Sequence, residues 1–249
     1  MSPRRRLDAE LVRRGLVPSR RDAAAAVDAH RVLVNGAVAE KPARLVDVAD
    51  ALVVRGELAR VVSRGGEKLD HALDAFGIDA RGLRVLDAGA STGGFTDCLR
   101  QRGAAHVVAL DVGHGQLHPK VRADEHVSVL EHANVRDLTA DRIGGRVDLV
   151  VADLSFISLT KVIPALVEVA CPRASLVLLV KPQFEAGRAE VSKGRGVITD
   201  PAIHERVRRE VRECLLGAGT VIRGWTQSPI TGADGNREFF VHAVREVRT

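Results

Sequence analysis

Four charged side chains stand where apolar, strand-like segments of this sequence end. They are Asp87, Asp111, Asp153 and Lys181. Helical patterns separate most of these segments, and strands that alternate with helices predict a parallel sheet with helices on both faces. Ligands bind at the carboxyl ends of the strands in such sheets. We therefore expect the four side chains to lie together at a binding site.

Asp153 and Lys181 follow two long hydrophobic segments, V-D-L-V-V-A and L-V-L-L-V. A lysine that is partly removed from water and lies beside other cations gives up its proton more readily. Lys181 could then act as a general base near neutral pH, with Asp153 orienting it. The same two residues would also suit a structural ion pair at the strand ends.

Asp87 opens a glycine-rich turn, D-A-G-A-S-T-G-G-F-T, which leads into a predicted helix. Glycine lets the backbone approach a ligand closely, and a helix N-terminus attracts a negative group. The spacing matches neither the dinucleotide-binding nor the phosphate-loop pattern. S-adenosylmethionine, a nucleoside cofactor with a carboxylate group, suits the turn better, although another nucleotide-binding fold could use a similar one. Asp111 lies near the position where an acid binds ribose hydroxyls in related architectures, and it would also suit a solvated strand end.

The pattern of strands and helices predicts a doubly wound α/β sheet of the Rossmann type. Strand-like runs cover residues 83–86, 106–110, 127–130, 147–152, 175–180, 221–225 and 239–244. Helical patterns cover residues 94–102, 160–170 and 201–216. Glu238 begins the last strand, and it would reach the same edge as Asp153 if that strand ran antiparallel to the others. Lys68 and Glu238, each taken alone, are typical of solvated surface residues.

Excess positive charge is confined to the first quarter of the 249-residue chain. Residues 1–64 contain 13 Lys and Arg against 8 Asp and Glu, whereas the remaining residues contain 24 of each. Arginine pairs with phosphate through two parallel hydrogen bonds, so this asymmetry favours a polyanionic partner over an ordinary solvated face.

The basic segment predicts two short amphipathic helices followed by a β-hairpin. Ser19 is the expected N-cap of the second helix, and Asn35-Gly36 between apolar residues is a strong hairpin signal. The run R-L-D-A-E-L-V-R-R-G-L-V-P-S-R-R-D-A-A-A-A-V, followed by V-L-V-N-G, resembles the S4 RNA-binding domain over residues 4–50. His30 stands where that family commonly has Gly, and we expect a positive φ there. The resemblance implies RNA binding through Arg4, Arg5, Arg6, Arg13, Arg20 and Arg21.

Five further motifs resemble, in order and spacing, the TlyA (haemolysin A-like) family. They are S-R-G-G-E-K-L, L-D-A-G-A-S-T-G-G-F-T, V-A-D-L-S-F-I-S-L, K-P-Q-F-E and S-P-I-T-G-A-D-G-N-R-E-F. Members of this family join an S4 domain to an FtsJ-like, S-adenosylmethionine-dependent methyltransferase of the class I fold. The resemblance implies ribose 2′-O-methylation of a cytidine in ribosomal RNA.

The resemblance also implies which residues act. The catalytic tetrad falls on Lys68, Asp153, Lys181 and Glu238. Lys68 would disfavour the charged form of Lys181, and Glu238 would hold Lys68 in place. The cofactor would contact Asp87, Gly89, Ser91, Thr92, Gly93, Gly94 and Asp111, with Asp137 and Phe156 toward the adenine end. No metal is expected.

These observations predict an S4-like domain over residues 1–60, a linker and helix over 61–82, and a methyltransferase domain over 83–249. No apolar run is long enough for a membrane span, no secretory signal is present, and the three cysteines fit neither a disulfide scaffold nor a zinc site.

We expect a cytoplasmic monomer whose partner is the ribosomal subunit. The chain ends soon after the last predicted strand, whereas family members that also modify small-subunit RNA typically carry a further helix, so 23S RNA is favoured over 16S RNA. A non-catalytic ribosome-binding factor and a cytolysin are the alternatives.

Overall fold

The computed structural model describes residues 4–17, 19–55, 62–232 and 234–247, without the side chains of Arg21, Arg188, Ala189 and Lys193. The chain divides into two compact units, residues 1–60 and 61–249. Each unit has its own hydrophobic core.

Short helices and strands make up the N-terminal unit. They are β1 (Arg5–Arg6), α1 (Leu7–Arg13), α2 (Arg20–Asp28), β2 (Val32–Val34), β3 (Ala37–Val38), β4 (Leu45–Val46) and β5 (Leu52–Val54). Strands β3, β2 and β5 form one antiparallel sheet in that order, and β1 pairs with β4. Leu7 and Leu11 of α1, Val27 of α2, and Val32 and Val34 of β2 meet in the buried core.

The local predictions for this unit are confirmed. Ser19 caps α2, because its Oγ accepts a hydrogen bond from the backbone N–H of Asp22 at 3.2 Å. Asn35 and Gly36 have φ values of 52° and 84°, as a tight two-residue hairpin turn requires. His30 has a φ of 55°, so a histidine occupies a left-handed position that suits glycine better.

The C-terminal unit alternates strands and helices. Its strands are β6 (Arg84–Ala88), β7 (His106–Leu110), β8 (Val127–Leu130), β9 (Val147–Ala152), β10 (Ala170–Val180), β11 (Thr220–Gln227) and β12 (Phe239–Arg245). Its helices are α3 (Arg64–Phe76), α4 (Gly94–Gln101), α5 (Pro119–Arg122), α6 (Ile163–Glu168), α7 (Pro182–Glu185), α8 (Arg188–Lys193) and α9 (Pro201–Gly217).

One sheet with the order β11-β12-β10-β9-β6-β7-β8 crosses this unit. Strands β10, β9, β6, β7 and β8 run parallel, whereas β12 is antiparallel to both β10 and β11. The predicted condition for Glu238 is therefore met, because the start of β12 lies at the carboxyl edge of the parallel strands.

Helices cover both faces of this sheet, as a doubly wound fold requires. Alternate residues of a strand point to opposite faces. In β9, Val150 packs into the core that α6 and α9 share, whereas Leu149 packs into the core that contains residues of α3 and α4. Among the described residues, no helix is long and apolar enough to cross a membrane.

Candidate active site

The carboxyl ends of the central strands lie side by side at one edge of the sheet. Ala88, the last residue of β6, pairs with Leu110 and Ala152, the last residues of β7 and β9. This register places the four charged residues of the strand ends at the same edge, as predicted: Asp87, Asp111, Asp153 and Lys181.

Lys181 is 9% exposed and makes its contacts with the segment that follows β9. Its Nζ forms an ion pair with the Asp153 carboxylate and donates a hydrogen bond to Oγ of Ser155 at 3.1 Å. The same atom lies 5.9 Å from the centre of the Phe184 ring. The sequence did not single out Ser155 or Phe184, which acquire a role only when the segments after β9 and β10 are brought together.

Lys68 and Glu238 form a second ion pair, which is also shielded from water. The distance from Lys68 Nζ to Glu238 Oε2 is 2.6 Å, and the two residues are 9% and 2% exposed. Helix α3 carries Lys68 near its N-terminus, and Glu238 directly precedes β12. A Cβ atom at Gly232 would lie 2.6 Å from Glu238 Oε1, so glycine leaves the room that this carboxylate needs.

The antiparallel pairing of β10 with β12 makes these two ion pairs neighbours. Val180, the last residue of β10, pairs with Phe239, the first residue of β12. Lys181 follows Val180 and Glu238 precedes Phe239, so the two residues continue opposite strands of one ladder. The structure therefore brings the four predicted tetrad residues to one place.

Asp87 is fully buried and lacks a complete set of hydrogen bonds. Its Oδ2 accepts a hydrogen bond from Thr96 Oγ1 at 2.6 Å, whereas Oδ1 has no partner among the described residues. Burial raises the pKa of Asp87 to about 7, and the negative charge of Asp153 contributes to the rise, although the Thr96 hydroxyl opposes it. A buried oxygen without a partner is costly, so a cationic group of a ligand bound there would stabilise it.

The glycines of the turn after β6 permit close packing within the protein. A Cβ atom at Gly89 would lie 2.4 Å from the backbone oxygen of Asp153, and one at Gly93 would lie 2.9 Å from a side-chain atom of Leu117. A Cβ atom at Gly94 would lie 2.1 Å from Ser63 Oγ. Gly94 opens α4 and Ser63 directly precedes α3, so the N-terminus of α3 packs directly against the N-terminus of α4.

Asp111 joins two loops of the same edge. Its Oδ2 accepts a hydrogen bond from the backbone N–H of Ser91 at 2.8 Å, and its Oδ1 accepts one from Gly113 at 2.7 Å. The backbone oxygen of Thr92 accepts a hydrogen bond from His118 at 3.1 Å. Ser91 has a φ of 48°, which is unusual for a residue other than glycine.

Asp137 and Phe156, the candidates for the adenine end, lie in different loops. Asp137 is exposed in the short 3₁₀ turn after β8. Phe156 is 92% exposed, has a φ of 64°, and lies with its ring centre 5.2 Å from that of Phe184. Its described aromatic neighbour is thus the ring beside Lys181.

These residues fit a ligand that carries both kinds of charge. The unpaired oxygen of Asp87 would attract a cation, and the adjoining N-termini of α3 and α4 would attract a carboxylate. S-adenosylmethionine has both. Ser63 and Thr96 belong to this arrangement, and the motif S-R-G-G-E-K-L was the signal that could have identified Ser63. Among the described residues, no cluster of His, Cys, Asp and Glu could hold a metal ion.

In the N-terminal unit, buried carboxylates hold three of the six predicted RNA-binding arginines, Arg6, Arg13 and Arg20. Asp8 forms ion pairs with Arg6 and Arg20, which keep the pKa of its carboxyl far below the usual range. Glu10 pairs with Arg13 and Arg14, and their hydrogen bonds lower its pKa to about 2.

The other three arginines of this set, and Arg14 outside it, differ in their surroundings. Arg5 lies 4.0 Å from Glu10, Arg4 is exposed, and the side chain of Arg21 is outside the described residues. Arg14 also donates to the backbone oxygens of Asp50 and Val48, so its guanidinium is committed to the fold.

Comparison with known proteins agrees with this architecture. The S4 domain model matches residues 5–52, and the FtsJ-like methyltransferase model matches residues 61–245. The 16S/23S rRNA (cytidine-2′-O)-methyltransferase TlyA of Mycobacterium tuberculosis is 53% identical over 97% of this chain and 90% of its own length. Hemolysin A of Brachyspira hyodysenteriae is 40% identical over 96% of this chain and 99% of its own. The 23S rRNA (cytidine-2′-O)-methyltransferase TlyA of Campylobacter jejuni is 32% identical over 74% and 71%.

Solved structures show the same fold. A hemolysin-like protein from Streptococcus thermophilus superposes with a TM-score of 0.76 at 38% identity, over 99% of this chain and 90% of that one. An S-adenosylmethionine-dependent methyltransferase from Listeria monocytogenes shares the fold alone, with a TM-score of 0.55 at 18% identity over 74% of this chain and all of that one. The chain therefore belongs to the TlyA family, in which an S4 domain precedes an FtsJ-like methyltransferase domain.

Proposed function

We propose that this chain transfers a methyl group from S-adenosylmethionine to the ribose 2′-hydroxyl of a cytidine in ribosomal RNA. The observation that carries the proposal is the pair of adjoining ion pairs at the carboxyl edge of the sheet, Lys181–Asp153 and Lys68–Glu238, in which both lysines are buried. Membership of the TlyA family and the rRNA cytidine-2′-O-methyltransferase names of two relatives support it.

The cofactor supplies, when bound, an electrophilic methyl group. Asp87 would hold its cationic amino end, and the N-termini of α3 and α4 would hold its carboxylate. Asp111, Ser91 and the glycine turn would line the nucleoside. The Phe156–Phe184 pair lies beside Lys181. Phe156 would therefore contact either the RNA nucleotide or, as expected from the sequence, the adenine of the cofactor.

The chain's own residues would position the ribose and manage one proton. Lys181 would hold the 2′-oxygen and take up its proton as the new O–C bond forms and the S–C bond breaks. Asp153 and Ser155 fix the position of Lys181 Nζ. Lys68 would hold positive charge beside the reacting ribose, and Glu238 keeps Lys68 in place.

RNA would be recruited by the S4 unit through Arg4, Arg5, Arg6, Arg13, Arg20 and Arg21. The large-subunit RNA is the substrate that the names of both TlyA relatives share, so we propose 23S RNA as the target and treat 16S RNA as an outcome of the test. A cytoplasmic, monomeric enzyme that acts on ribosomal subunits accords with this proposal.

Transfer of radiolabelled methyl to separated ribosomal subunits that lack the native modification tests the proposal. We expect label in the large subunit, with resistance to alkaline cleavage at the modified ribose. Lys181→Ala should abolish transfer while leaving cofactor binding intact. Lys161→Ala is the matched control, because Lys161 is an exposed lysine of the same unit outside the tetrad.

Other results would assign the chain differently. Absence of label despite cofactor binding would favour the non-catalytic ribosome-binding factor. Leakage of dye from liposomes at low protein concentration would favour the cytolysin.

A further inference from the structure

Three exposed arginines of the C-terminal unit are connected to the tetrad through short stretches of chain or hydrogen bonds, and they belong to none of the sites above. We propose that Arg64, Arg195 and Arg237 form a second RNA-binding surface, which holds backbone phosphates next to the reacting ribose. This inference rests on the proposed function and names the part of the substrate that the catalytic unit would grip.

Two of these arginines lie next to the Lys68–Glu238 ion pair. Arg237 directly precedes Glu238, and Arg64 lies four residues before Lys68 on α3. Residues four apart occupy the same face of a helix, so Arg64 lies one turn from Lys68 on the face that carries it. The 2.6 Å ion pair between Lys68 and Glu238 therefore brings Arg64 and Arg237 into one neighbourhood.

Hydrogen bonds from Asn236 hold the loop that carries the third arginine, Arg195, beside Arg237. Asn236 is buried, and its Nδ2 donates a hydrogen bond to the backbone oxygen of Gly196 at 2.9 Å. Its Oδ1 accepts a hydrogen bond from the backbone N–H of Ile198 at 2.8 Å. Arg195 directly precedes Gly196, so the loop that carries it is anchored beside Arg237.

The guanidinium groups of these arginines are available to a ligand. Arg64, Arg195 and Arg237 are exposed, and none forms an ion pair or side-chain hydrogen bond with any described residue. Glu67 and Asp234, each three residues in the sequence from Arg64 or Arg237, do not pair with them. By contrast, Arg100, Arg102, Arg146, Arg206 and Arg245 of the same unit are all bound to carboxylates or backbone oxygens.

Exposed arginines without partners, next to the two ion pairs of the tetrad, are suited to bind the phosphate groups of RNA. The planar fork of arginine binds phosphate with two hydrogen bonds, and a nucleic acid releases counterions for each phosphate that is neutralised. Each lost contact should reduce the slope of log K against log salt concentration by about 0.7 to 0.9. Loss of all three should reduce it by about two to three.

The test compares two triple variants with the same change in charge. Arg64→Gln/Arg195→Gln/Arg237→Gln removes the proposed surface. Arg209→Gln/Arg212→Gln/Arg223→Gln is the control, because these arginines are also exposed and without described partners but lie on α9 and β11. Binding to unmodified large ribosomal subunits is measured from 50 to 300 mM KCl, together with kcat, KM and S-adenosylmethionine affinity.

We expect the first variant to bind S-adenosylmethionine normally and to have a reduced salt slope and a KM for RNA at least about tenfold higher. Its kcat at saturating RNA should change less. If the first variant loses cofactor binding through misfolding, Arg64→Gln alone carries the test, with an expected slope reduction of about one.

Equal RNA affinity and salt slope in the two triple variants, or an unchanged slope in Arg64→Gln, would overturn the inference. Failure of the wild-type protein to methylate any ribosomal RNA would instead overturn the proposed function. The two failures are thus distinguishable.

Discussion

Asp87 illustrates how burial sets the charge of a single residue in this site. Burial raises its pKa to about 7, whereas the pKa of an aspartate in an unfolded chain is about 4. Between these values the folded protein retains a proton that the unfolded chain has released. Folding is therefore favoured by this group at low pH, and that contribution is lost as the pH rises toward 7.

Binding of S-adenosylmethionine should have the opposite pH dependence. The sulfonium and ammonium groups of the cofactor favour the ionised carboxylate, so affinity should fall as the pH is lowered through 7. With a pKa of about 7 in the free protein, calorimetry should give affinity about eightfold weaker at pH 6 than at pH 7.5. Asp87→Asn should bind the cofactor more weakly, and its affinity should depend less on pH. Any pH dependence that remains in this variant measures the titration of the cofactor itself. Equal wild-type affinity at the two pH values would contradict this role.

A second prediction concerns Gly232, where an added Cβ atom would crowd the Glu238 carboxylate. Gly232→Ala would place a Cβ atom 2.6 Å from Glu238 Oε1, so the carboxylate must move away from Lys68. We expect kcat for methyl transfer to fall by about tenfold or more, with cofactor affinity nearly unchanged. Gly217→Ala is the control, because a Cβ atom there meets nothing within 4 Å. Similar kcat values for the two variants would show that the position of Glu238 is unimportant.

The loop after α7 is held in place by an element that lies far away in the sequence. Asn236, from the turn before β12, bonds to Gly196 and Ile198, and Glu190 of α8 forms an ion pair with Arg206 of α9. The segments that carry Lys181 and Glu238 are thus joined outside the sheet as well as within it.

Removal of the Asn236 side chain should release this loop. In Asn236→Ala, hydrogen exchange of the Ile198 amide should become faster, and KM for RNA should rise while cofactor affinity is retained. Asn35→Ala removes an equivalent pair of hydrogen bonds in the N-terminal unit and is the control for exchange at Ile198. If Ile198 exchanges equally fast in both variants, Asn236 does not anchor the loop.

Elements with strong local signals were predictable, and contacts between distant segments were not. The alternating apolar runs predicted β6 to β9, β11 and β12 to within a few residues, and Ser19 and Asn35-Gly36 predicted their cap and turn. The helical pattern over 160–170 extended too far, because Ala170 instead pairs with Val147 as β10 begins. No helical pattern was identified in the stretch after Glu185, which contains α8. The contacts that matter for three further residues come from segments 26 or more positions away: Ser63, Ser155 and Asn236. The periodicity of apolar residues contains no information on such contacts.

At the scale of the whole molecule, most of the excess positive charge lies in the N-terminal unit, whereas the tetrad belongs to the C-terminal unit. Four arginines of the N-terminal unit lie around two buried carboxylates, Asp8 and Glu10, which fix their guanidinium groups in place: Arg6, Arg13, Arg14 and Arg20. Preorganised guanidinium groups lose less conformational freedom when they bind phosphate. The C-terminal unit, which is nearly neutral, contains the cofactor edge and both ion pairs of the tetrad.

This division predicts that a chain of residues 61–249 binds S-adenosylmethionine as the full chain does but methylates ribosomal RNA poorly. The cores of the two units contain separate sets of residues, so removal of residues 1–60 leaves the second core intact. Much of the counterion release would be lost, which should raise KM for RNA and flatten its salt dependence. Arg13→Gln/Arg20→Gln in the full chain should shift both quantities in the same direction by a smaller amount. Loss of cofactor binding by residues 61–249 would mean that the second unit requires the first in order to fold, whereas an unchanged KM would remove the S4 unit from substrate recognition.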